Sequence, residues 1–456
     1  MTPIRAEPTT KRRSAAAAVL SFLFPGLGQA YNGQWALASL FAVPVLLLLV
    51  LGILALTLRG EGAMSRLLDA RVLVALIVLD AALLGWRLVA IVQAYGERQR
   101  GGRRRGWPVW LTGLLVLATL AMHAFPAYYA VKAIDTLGSV ALEGGGARFV
   151  ERVGRRVNLP EPSDQPDVEL QERVTVLLLG IDFVPGRDHH LTDTMLVASI
   201  DPKTGGGAMV SVPRDLYGTP LGDGRVYNAK LNSLMSAAAA DPVTYPLGAF
   251  GTLKAAIGAL LGTRIHYVAA IDIEGMRQVI DTLGGVDIVV ERTIDDPSYH
   301  DTLTGQRGFY LAAGPQHLDG MTAMGYARSR RGAGDNDFTR AARQQALLAG
   351  IADKLTAGNL LVTLPGLLDA VRDNVVTDIP SARIPLLAAE AEEANLGSFD
   401  RVVLQPPEHV TPASDLVAGY ILVPHLDAIL ALAEEIFAAR VAGTDDSSGP
   451  APVEAP

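Results

Sequence analysis

The chain has 456 residues, of which 50% are hydrophobic and 19% are charged, and this composition excludes an intrinsically disordered protein. Its formal net charge of −8 argues against a generic nucleic-acid binder, because such proteins carry a basic domain. The sequence contains no cysteine, which excludes disulfides, thiol catalysis and zinc sites built on thiolates.

Three apolar stretches near the start of the chain are each long enough to cross the roughly 30 Å hydrocarbon core of a membrane. They are residues 36–58, 72–95 and 107–131. The first contains no charged residue, and the third contains only His123 as a group expected to titrate near neutral pH. We therefore predict an all-helical transmembrane region over residues 1–134.

A shorter apolar segment, residues 15–30, precedes the first predicted span and is interrupted by Pro25, Gly26 and Gly28. The basic residues before it are typical of a cleaved signal peptide, but no small-residue cleavage site follows the apolar run. The segment is also too short to span a bilayer. We predict that it is re-entrant or interfacial.

The positions of arginine and lysine predict the orientation of the spans. One basic cluster lies within residues 5–13, and a second lies within residues 98–105, between the second and third spans. Because cytoplasmic loops are enriched in these residues, both clusters are expected in the cytoplasm. Three crossings then place the N-terminus in the cytoplasm and every residue after 131 on the outer side of the cell membrane.

The second span carries Asp80 and Arg87, which lie seven positions apart and therefore on one face of a helix. Ionisable groups at membrane depth often mark a functional site. A structural pair, or an Arg87 side chain that reaches the membrane interface, is the simpler interpretation and the one we favour.

Residues 135–172 are rich in glycine and proline and predict a linker, and residues 442–456 predict a disordered tail. Strand and helix patterns alternate between them, over residues 173–441. Strands are expected at Val174–Ile181, Thr194–Ile200, Ala208–Val212, Tyr267–Ile271 and Val286–Val290, and helices at Ala249–Leu261, Glu274–Leu283, Asp337–Thr356 and Pro424–Ala439. This alternation predicts an extracytoplasmic three-layer α/β/α domain with a mixed sheet.

The polar residues of this domain follow strands or precede helices, where α/β proteins place their ligands. The sequence shows no HExxH motif and no glycine-rich phosphate loop with lysine, but it does place carboxylates after strands and at least five arginines nearby. Carboxylate oxygens suit Mg²⁺, and guanidinium groups suit phosphate oxygens. The combination predicts a diphosphate ligand with Mg²⁺ and the chemistry of phosphoryl transfer.

Each of these residues also has a structural interpretation. An aspartate that ends a strand, such as Asp182, often caps a turn. Arg328 and Arg330 alternate as residues on a solvated strand face do, and Asp335 and Asp337 stand where a helix N-cap is expected. The single residues are therefore weak indicators of function.

The ordered set of motifs is more specific, and it resembles the LytR-CpsA-Psr family. The motifs are LGID, TDT, SVPRD, KLN, DTLGGVDI, LDGMTAMGYARSR and DNDFTRAARQQ. The resemblance extends from Val174 to Thr356, with a looser extension to Val441. It implies a membrane-anchored enzyme with an extracytoplasmic α/β domain. Such an enzyme moves a glycopolymer from a polyprenyl diphosphate lipid to peptidoglycan, through a phosphodiester and with Mg²⁺.

The resemblance also implies roles for individual residues. Asp182 and Asp193 would hold Mg²⁺. The arginines that would grip the diphosphate or the polymer are Arg214, Arg328, Arg330, Arg340 and Arg343. Gln344 would bind a phosphate or head group, and the rim of the site would be formed by Asp215, Lys230 and Asn232. Asp337, three residues before Arg340, would orient an arginine or accept the proton of the incoming sugar hydroxyl.

The sequence departs from the family pattern in two respects. Leu191 stands where members commonly carry an arginine, so that one phosphate contact is either missing or supplied by Arg187. The anchor is predicted to have three spans where members usually have one. The lipid tail needs an apolar slot, and the Ala/Leu-rich stretches 249–261 and 345–356 are its candidate walls.

Two other functions use the same residues. A polyprenyl diphosphate hydrolase would replace the sugar hydroxyl with water at the same site. A non-catalytic lipid-binding regulator of the envelope would keep the fold without turnover, although a simple binding pocket has little need for metal ligands. Nucleic acid is not an expected partner, because no basic recognition helix is visible.

Overall fold

A computed structural model describes residues 13–58, 69–96, 109–140, 173–182, 191–301, 304–356, 360–384 and 399–437, together with residues 386, 387, 390 and 394. The chain divides into two compact units, Met1–Asp135 and Thr136–Pro456, which we describe separately. The predicted tail, residues 442–456, and residues 141–172 of the predicted linker lie outside the described residues.

The N-terminal unit is built from helices. They are α1 (Arg13–Leu23), α2 (Leu27–Tyr31), α3 (Trp35–Leu58), α4 (Ala70–Gly96) and α5 (Val109–Val140). The last three are long and apolar enough to cross a membrane, and they occupy the three predicted spans. Helix α5 continues to Val140, so the first residues of the predicted linker are helical.

The segment predicted to be re-entrant or interfacial forms the two short helices α1 and α2. Gly28 allows them to approach closely, because a Cβ at this position would lie only 2.0 Å from the carbonyl oxygen of Ala17. The buried side chain of Gln29 donates to the carbonyl oxygen of Ala90 on α4 at 2.8 Å. Its polar groups are therefore satisfied by protein, as an apolar environment requires.

Asp80 and Arg87 have different partners. Asp80 lies 2.7 Å from the ring Nδ1 of His123 on α5, and Arg87 donates to the carbonyl oxygen of Phe22 near the end of α1 at 2.9 Å. Both contacts hold helices together, so each residue has a structural contact, but the expected pair between Asp80 and Arg87 is wrong.

The C-terminal unit contains fourteen strands and seven helices of four or more residues among its described residues. The strands are β1 (Val174–Asp182), β2 (Leu191–Ile200), β3 (Gly207–Ser211), β4 (Tyr217–Pro220), β5 (Val226–Lys230), β6 (Tyr267–Asp272), β7 (Val286–Val290), β8 (Ile294–His300), β9 (Arg307–Leu311), β10 (Gly314–Leu318), β11 (Val375–Thr377), β12 (Asp400–Val403), β13 (Val410–Asp415) and β14 (Gly419–Pro424). The helices are α6 (Leu234–Ala240), α7 (Gly248–Leu261), α8 (Ile273–Thr282), α9 (Gly320–Arg328), α10 (Asp337–Thr356), α11 (Leu360–Asn374) and α12 (Leu426–Phe437).

A six-stranded mixed sheet in the order β11-β6-β1-β2-β3-β12 forms the centre of this unit. Strand β1 is antiparallel to β2 and parallel to β6. Leu177 and Leu179 on β1 belong to the core cluster that includes Phe250 of α7, whereas Leu178 packs toward Leu348 of α10 on the other face. Because alternate residues of a strand face opposite sides, the sheet is covered by helices on both faces. The predicted three-layer α/β/α fold is confirmed.

Several predicted elements differ in detail from those of the structure. The strand Val286–Val290 forms, but it pairs with β10 in a separate two-stranded sheet over a second core cluster. The helix expected from Pro424 begins at Leu426, because Pro424 ends β14 opposite Val410. Proline lacks the N–H that would continue a strand ladder, so the end of a strand suits it as well as the first turn of a helix.

A buried polar network lies at one end of the main sheet, where the parallel strands β1 and β6 begin. The Lys254 ammonium forms an ion pair with Asp378, and both side chains are less than 10% exposed. Asp378 also accepts a hydrogen bond from the Val268 amide at 2.6 Å, and the His266 ring accepts one from the Thr175 amide at 3.0 Å. The network satisfies the backbone groups at the start of both strands.

Protonation of His266 is expected to destabilise this unit at acidic pH. Burial, and then the positive charges of Arg264, Lys254 and Arg383, lower the pKa of His266 from 6.5 to about 4. The unfolded imidazole titrates near 6.5, so the folded state has its full stability above that pH and loses it as the pH falls toward 4. Urea unfolding of the full chain should show a loss of about 2 kcal/mol across this range, since solvent screens part of the imidazolium charge. A His266→Gln variant that loses as much stability over the same range would assign the effect to other groups.

Candidate active site

The site begins at a β-bulge where β2 starts beside the end of β1. Gly180 pairs with Thr194 and Ile181 pairs with Thr192, which leaves Asp193 as the extra residue. A Cβ on Gly180 would lie 2.9 Å from the Cβ of Thr194, so glycine is required for this close approach. Because a bulge redirects side chains, Asp193 and Thr194 both line the same cavities.

Arg214, which follows β3, is the centre of a charged cluster. Its guanidinium forms an ion pair with Asp193 and lies 3.3 Å from Asp337 and 3.7 Å from Asp215. Burial lowers the pKa of Arg214, but the three carboxylates outweigh it and raise the pKa above the ordinary value. Lys230, at the end of β5, lies 2.9 Å from Asp215. One cation thus joins carboxylates from three separate parts of the chain.

The N-terminus of α10 supplies the next group of side chains. The Asn336 side chain accepts hydrogen bonds from the amides of Phe338 and Thr339, both at 2.9 Å, and therefore caps the helix. Asp337 is therefore not the cap of this helix, a role that the sequence alone left open. It lies instead between Arg214 and Arg340, whose guanidinium is 3.5 Å away.

Arg340 is the most buried arginine of the cluster, with 9% of its side chain exposed. Burial lowers its pKa, the charge of Asp337 raises it, and the charge of Arg214 lowers it again, with a net lowering. Within the described residues, the Arg340 Nε is buried without a hydrogen-bond partner, whereas the Arg214 Nε lies 3.3 Å from the Asp337 carboxylate. The unpaired Arg340 donor is of the kind that an anionic ligand satisfies.

Arg328 is the last residue of α9, and Arg330 lies on the segment that follows it. Arg328 lies 3.2 Å from Asp301, whose side chain is only 6% exposed, and it lines a cavity together with Arg330. The alternative in which both arginines belong to a solvated strand does not hold, since α9 ends at Arg328 and no strand follows in the described segment up to α10.

Three adjoining cavities with volumes of about 420, 300 and 260 Å³ share these residues. We call the first two the polar cavities because several charged side chains line each of them. They have in common Asp193, Thr194, Arg214, Arg330, Arg340 and Gln344. The third is apolar and includes Leu178, Leu196, Ile271, Met324 and Leu347. Thr194 and Gln344 line all three, so polar and apolar cavities meet at one point.

Most of the site residues predicted from the sequence come together here. Those that line the cavities are Asp193, Arg214, Asp215, Lys230, Arg328, Arg330, Asp337, Arg340 and Gln344. Asp182 ends β1 opposite Leu191, but its side chain lies outside the described residues, so its predicted role as a metal ligand stays a prediction. Arg187 also lies outside them.

Two predicted substrate-binding residues line none of the three cavities. Arg343 donates to the carbonyl oxygen of Ser329 at 2.6 Å and lies 3.4 Å from Asp335, behind the segment that carries Arg330. The Asn232 backbone amide donates to the carbonyl oxygen of Arg214 at 3.0 Å. Both residues thus contact the segments that carry the site arginines, and their direct contact with substrate stays a prediction.

Other cavity residues were not found by sequence reasoning. Tyr420 and Leu422 on β14 line the largest cavity, and His300 on β8 lines the second. The only signal in the GYILVP segment is the apolar pattern of a strand, and the histidines are scattered along the sequence. The helix 249–261, expected as a wall of the apolar slot, packs into the main core instead, whereas Leu347 and Leu348 of α10 do form that wall.

Few protein side chains at this site are available as ligands for Mg²⁺. Among the residues that the structure describes, no three His, Cys, Asp or Glu side chains are arranged to hold a metal ion. Asp193, however, is partly exposed and reaches both polar cavities. Mg²⁺ is commonly held by one or two carboxylates and completed by substrate phosphates, and Asp193 fits such a site.

Comparison with known proteins decides the family. The sequence profile of the LytR_cpsA_psr family matches residues 151–405, more than half of the chain. The chain belongs to the LytR_cpsA_psr family. The family predicted from the ordered motifs is thereby confirmed, and the profile covers every one of the predicted site residues.

Several relatives within this family are named for their activity. A polyisoprenyl-teichoic acid–peptidoglycan teichoic acid transferase, TagU of Bacillus anthracis, is 27% identical over 273 residues, which are 60% of this chain and 78% of TagU. The TagU of Oceanobacillus iheyensis is 27% identical over 298 residues, or 64% of this chain and 83% of its own. The crystal structure of B. subtilis TagV matches 59% of this chain and 98% of its own at 22% identity, with a TM-score of 0.45.

Proposed function

We propose that this protein is a membrane-anchored phosphotransferase that moves a glycopolymer from a polyprenyl diphosphate carrier to peptidoglycan. The series of adjoining cavities carries this proposal, because an apolar cavity leads to an arginine-lined one and then to a larger polar one. A lipid-linked glycan has the same order of groups: an apolar tail, a diphosphate and a sugar. The names of the TagU relatives specify a polyisoprenyl-linked polymer and a peptidoglycan acceptor, which supports the proposal.

Each cavity takes one part of the carrier in this proposal. The tail enters the apolar cavity between the sheet and α10, where Leu178 and Leu347 supply apolar contacts. The diphosphate lies among Arg328, Arg330 and Arg340, whose guanidinium groups match phosphate oxygens. The sugar extends into the largest cavity.

The transfer step uses Asp337 as the proton acceptor. The acceptor hydroxyl oxygen attacks the phosphorus that bears the glycan, and the bond from this phosphorus to the lipid phosphate breaks. Polyprenyl phosphate leaves, and the new bond completes a phosphodiester. Arg214 and Arg340 hold the Asp337 carboxylate, and the arginines neutralise the charge that develops on the leaving phosphate. Mg²⁺ held by Asp193 and the substrate would add a Lewis acid for the phosphate oxygens.

We further propose that the catalytic domain is extracytoplasmic and the N-terminus cytoplasmic. The two basic clusters then lie on one side of the membrane, separated by two of the three apolar helices. Alkaline phosphatase fused to the C-terminus is expected to be active in cells, because this enzyme matures only outside the cytoplasm. An inactive fusion, with an active cytoplasmic reporter at the same site, would reverse the topology.

A transfer assay with the full-length protein in detergent tests the activity. Lipid-linked donor and Mg²⁺ should yield polymer joined to peptidoglycan fragments when these are supplied, and little release of polymer when they are absent. Equal turnover of the donor without an acceptor would identify the hydrolase that shares this site. No turnover of any lipid diphosphate, with the protein folded and Mg²⁺ present, would favour a lipid-binding regulator.

A further inference from the structure

The segment that carries Arg330 is held by a buried carboxylate, that of Asp296, at the wall of the arginine-rich cavity. Asp296 on β8 is only 2% exposed. One of its oxygens accepts hydrogen bonds from the amide and the hydroxyl of Ser298 at 3.1 and 2.8 Å. The other accepts from the Ser329 hydroxyl at 2.9 Å and from the amides of Arg330 and Arg331 at 3.3 and 3.1 Å. Five donors therefore converge on one carboxylate.

Ser329, which is bound to Asp296, lies between Arg328 and Arg330 in the chain. Its backbone is extended (φ −59°, ψ 138°), and its side chain is buried against Asp296 with 1% of the residue exposed. Arg328 ends α9 on one side of Ser329 and Arg330 follows on the other, and both arginines line the arginine-rich cavity.

A second contact fixes the same residue from the other side. The Ser329 carbonyl oxygen accepts a hydrogen bond from Arg343 at 2.6 Å, and its amide donates to the Gly325 carbonyl oxygen at 2.9 Å. The hydroxyl, the amide and the carbonyl of Ser329 are thus all bound. Such a residue has little freedom to turn, and the directions of its neighbours are fixed with it.

We propose that Asp296 is a positioning residue that sets the direction of Arg328 and Arg330 toward the diphosphate. Its catalytic consequence rests on the proposed function, but its control of the segment does not. A carboxylate is required because it only accepts hydrogen bonds, and the groups around it are all donors. Asparagine has the same shape, but its NH₂ group would face the amides of Arg330 and Arg331 or the Ser298 donors.

The test compares Asp296→Asn with Asp201→Asn in the full-length protein. Asp201 is a matched control, because it is 4% exposed, accepts from the Lys203 amide at 2.9 Å and lines none of the three cavities. In Asp296→Asn we expect amide hydrogen exchange to rise at least about tenfold at Arg330 and Arg331. The affinity for inorganic pyrophosphate should fall about ten- to a hundredfold, as expected for the loss of aligned guanidinium contacts. Asp201→Asn should change neither quantity.

A double-mutant cycle with Arg330→Ala separates positioning from general destabilisation. If Asp296 acts through the arginines, Asp296→Asn should weaken pyrophosphate binding much less in the Arg330→Ala background. If Asp296→Asn does not fold, Ser329→Ala replaces it in the test, because it keeps the carboxylate and removes one of its donors. Ser329→Ala should raise amide exchange at Arg330 and Arg331 and weaken pyrophosphate binding, both by less than Asp296→Asn. Unchanged exchange at Arg330 and Arg331, or a rise spread over the whole unit, would overturn the proposal. A wild-type protein that binds no pyrophosphate contradicts the proposed function, while the exchange result still decides the role of Asp296.

Discussion

Replacing Asp193 with asparagine is expected to reduce glycopolymer transfer about a thousandfold and to leave the fold intact. Asp193 is a bulge residue that reaches both polar cavities and forms an ion pair with Arg214, so its loss removes the carboxylate expected to hold Mg²⁺. Stability should change by less than about 1 kcal/mol, because Arg214 keeps Asp337 and Asp215 as partners. The measurements are the transfer rate at saturating donor and the melting temperature.

Asp241→Asn is the control for this experiment. Asp241 is an exposed turn residue that accepts a hydrogen bond from the Thr244 amide at 3.0 Å, so its replacement affects a turn without touching the cavities. If Asp193 were also only a turn residue, both variants would lose activity in proportion to unfolded protein. Near-normal turnover per folded molecule in Asp193→Asn would reject the mechanism.

Arg214→Lys should lower kcat/KM for transfer at least about a thousandfold, although the positive charge is kept. The guanidinium of Arg214 contacts Asp193 through one nitrogen and lies 3.3 Å from Asp337 through another. A lysine ammonium is a single point that cannot join both carboxylates in the same geometry. Asp337, the proposed proton acceptor, and Asp193, the proposed metal ligand, would then lose their common ion-pair partner.

The matched variant is Arg277→Lys on α8. Arg277 also joins two carboxylates, Glu274 at 2.5 Å and Asp281 at 2.9 Å, but it lines none of the three cavities. Its replacement should leave kcat/KM within about twofold of wild type, since partly exposed ion pairs contribute little. Similar losses in both variants would mean that Arg214 acts through stability alone.

Local pattern predicted four of the six strands of the main sheet, β1, β2, β3 and β6, and missed the short outer strands β11 and β12. The apolar run Val174–Ile181 predicts a buried strand, and β1 occupies Val174–Asp182. The predicted helix Glu274–Leu283 corresponds to α8 (Ile273–Thr282), with both boundaries shifted by one residue. Asp272 caps α8 by accepting a hydrogen bond from the Gly275 amide at 2.6 Å. The two-stranded sheets were missed or misplaced, because pairing partners depend on contacts between distant residues.

The sequence by itself determined most of the residue types of the site. Its ordered motifs identify the family, and they contain most of the charged side chains and the glutamine that line the three cavities, although Asp272, Asp296 and Arg331 lie outside the motifs. Residue types and their order are local properties, so they can be read directly. Three apolar stretches of sufficient length likewise predict three long helices, because the hydrocarbon thickness sets the length required.

Only the tertiary structure decided which of these side chains share a cavity. Arg340 and Arg343 lie on one helix, yet Arg340 reaches the cavities, whereas Arg343 binds the carbonyl of Ser329. Three of the five donors around Asp296 likewise come from residues 329–331, more than thirty positions along the chain. Direction and burial come from these long-range contacts, which the spacing of residues along the sequence does not specify.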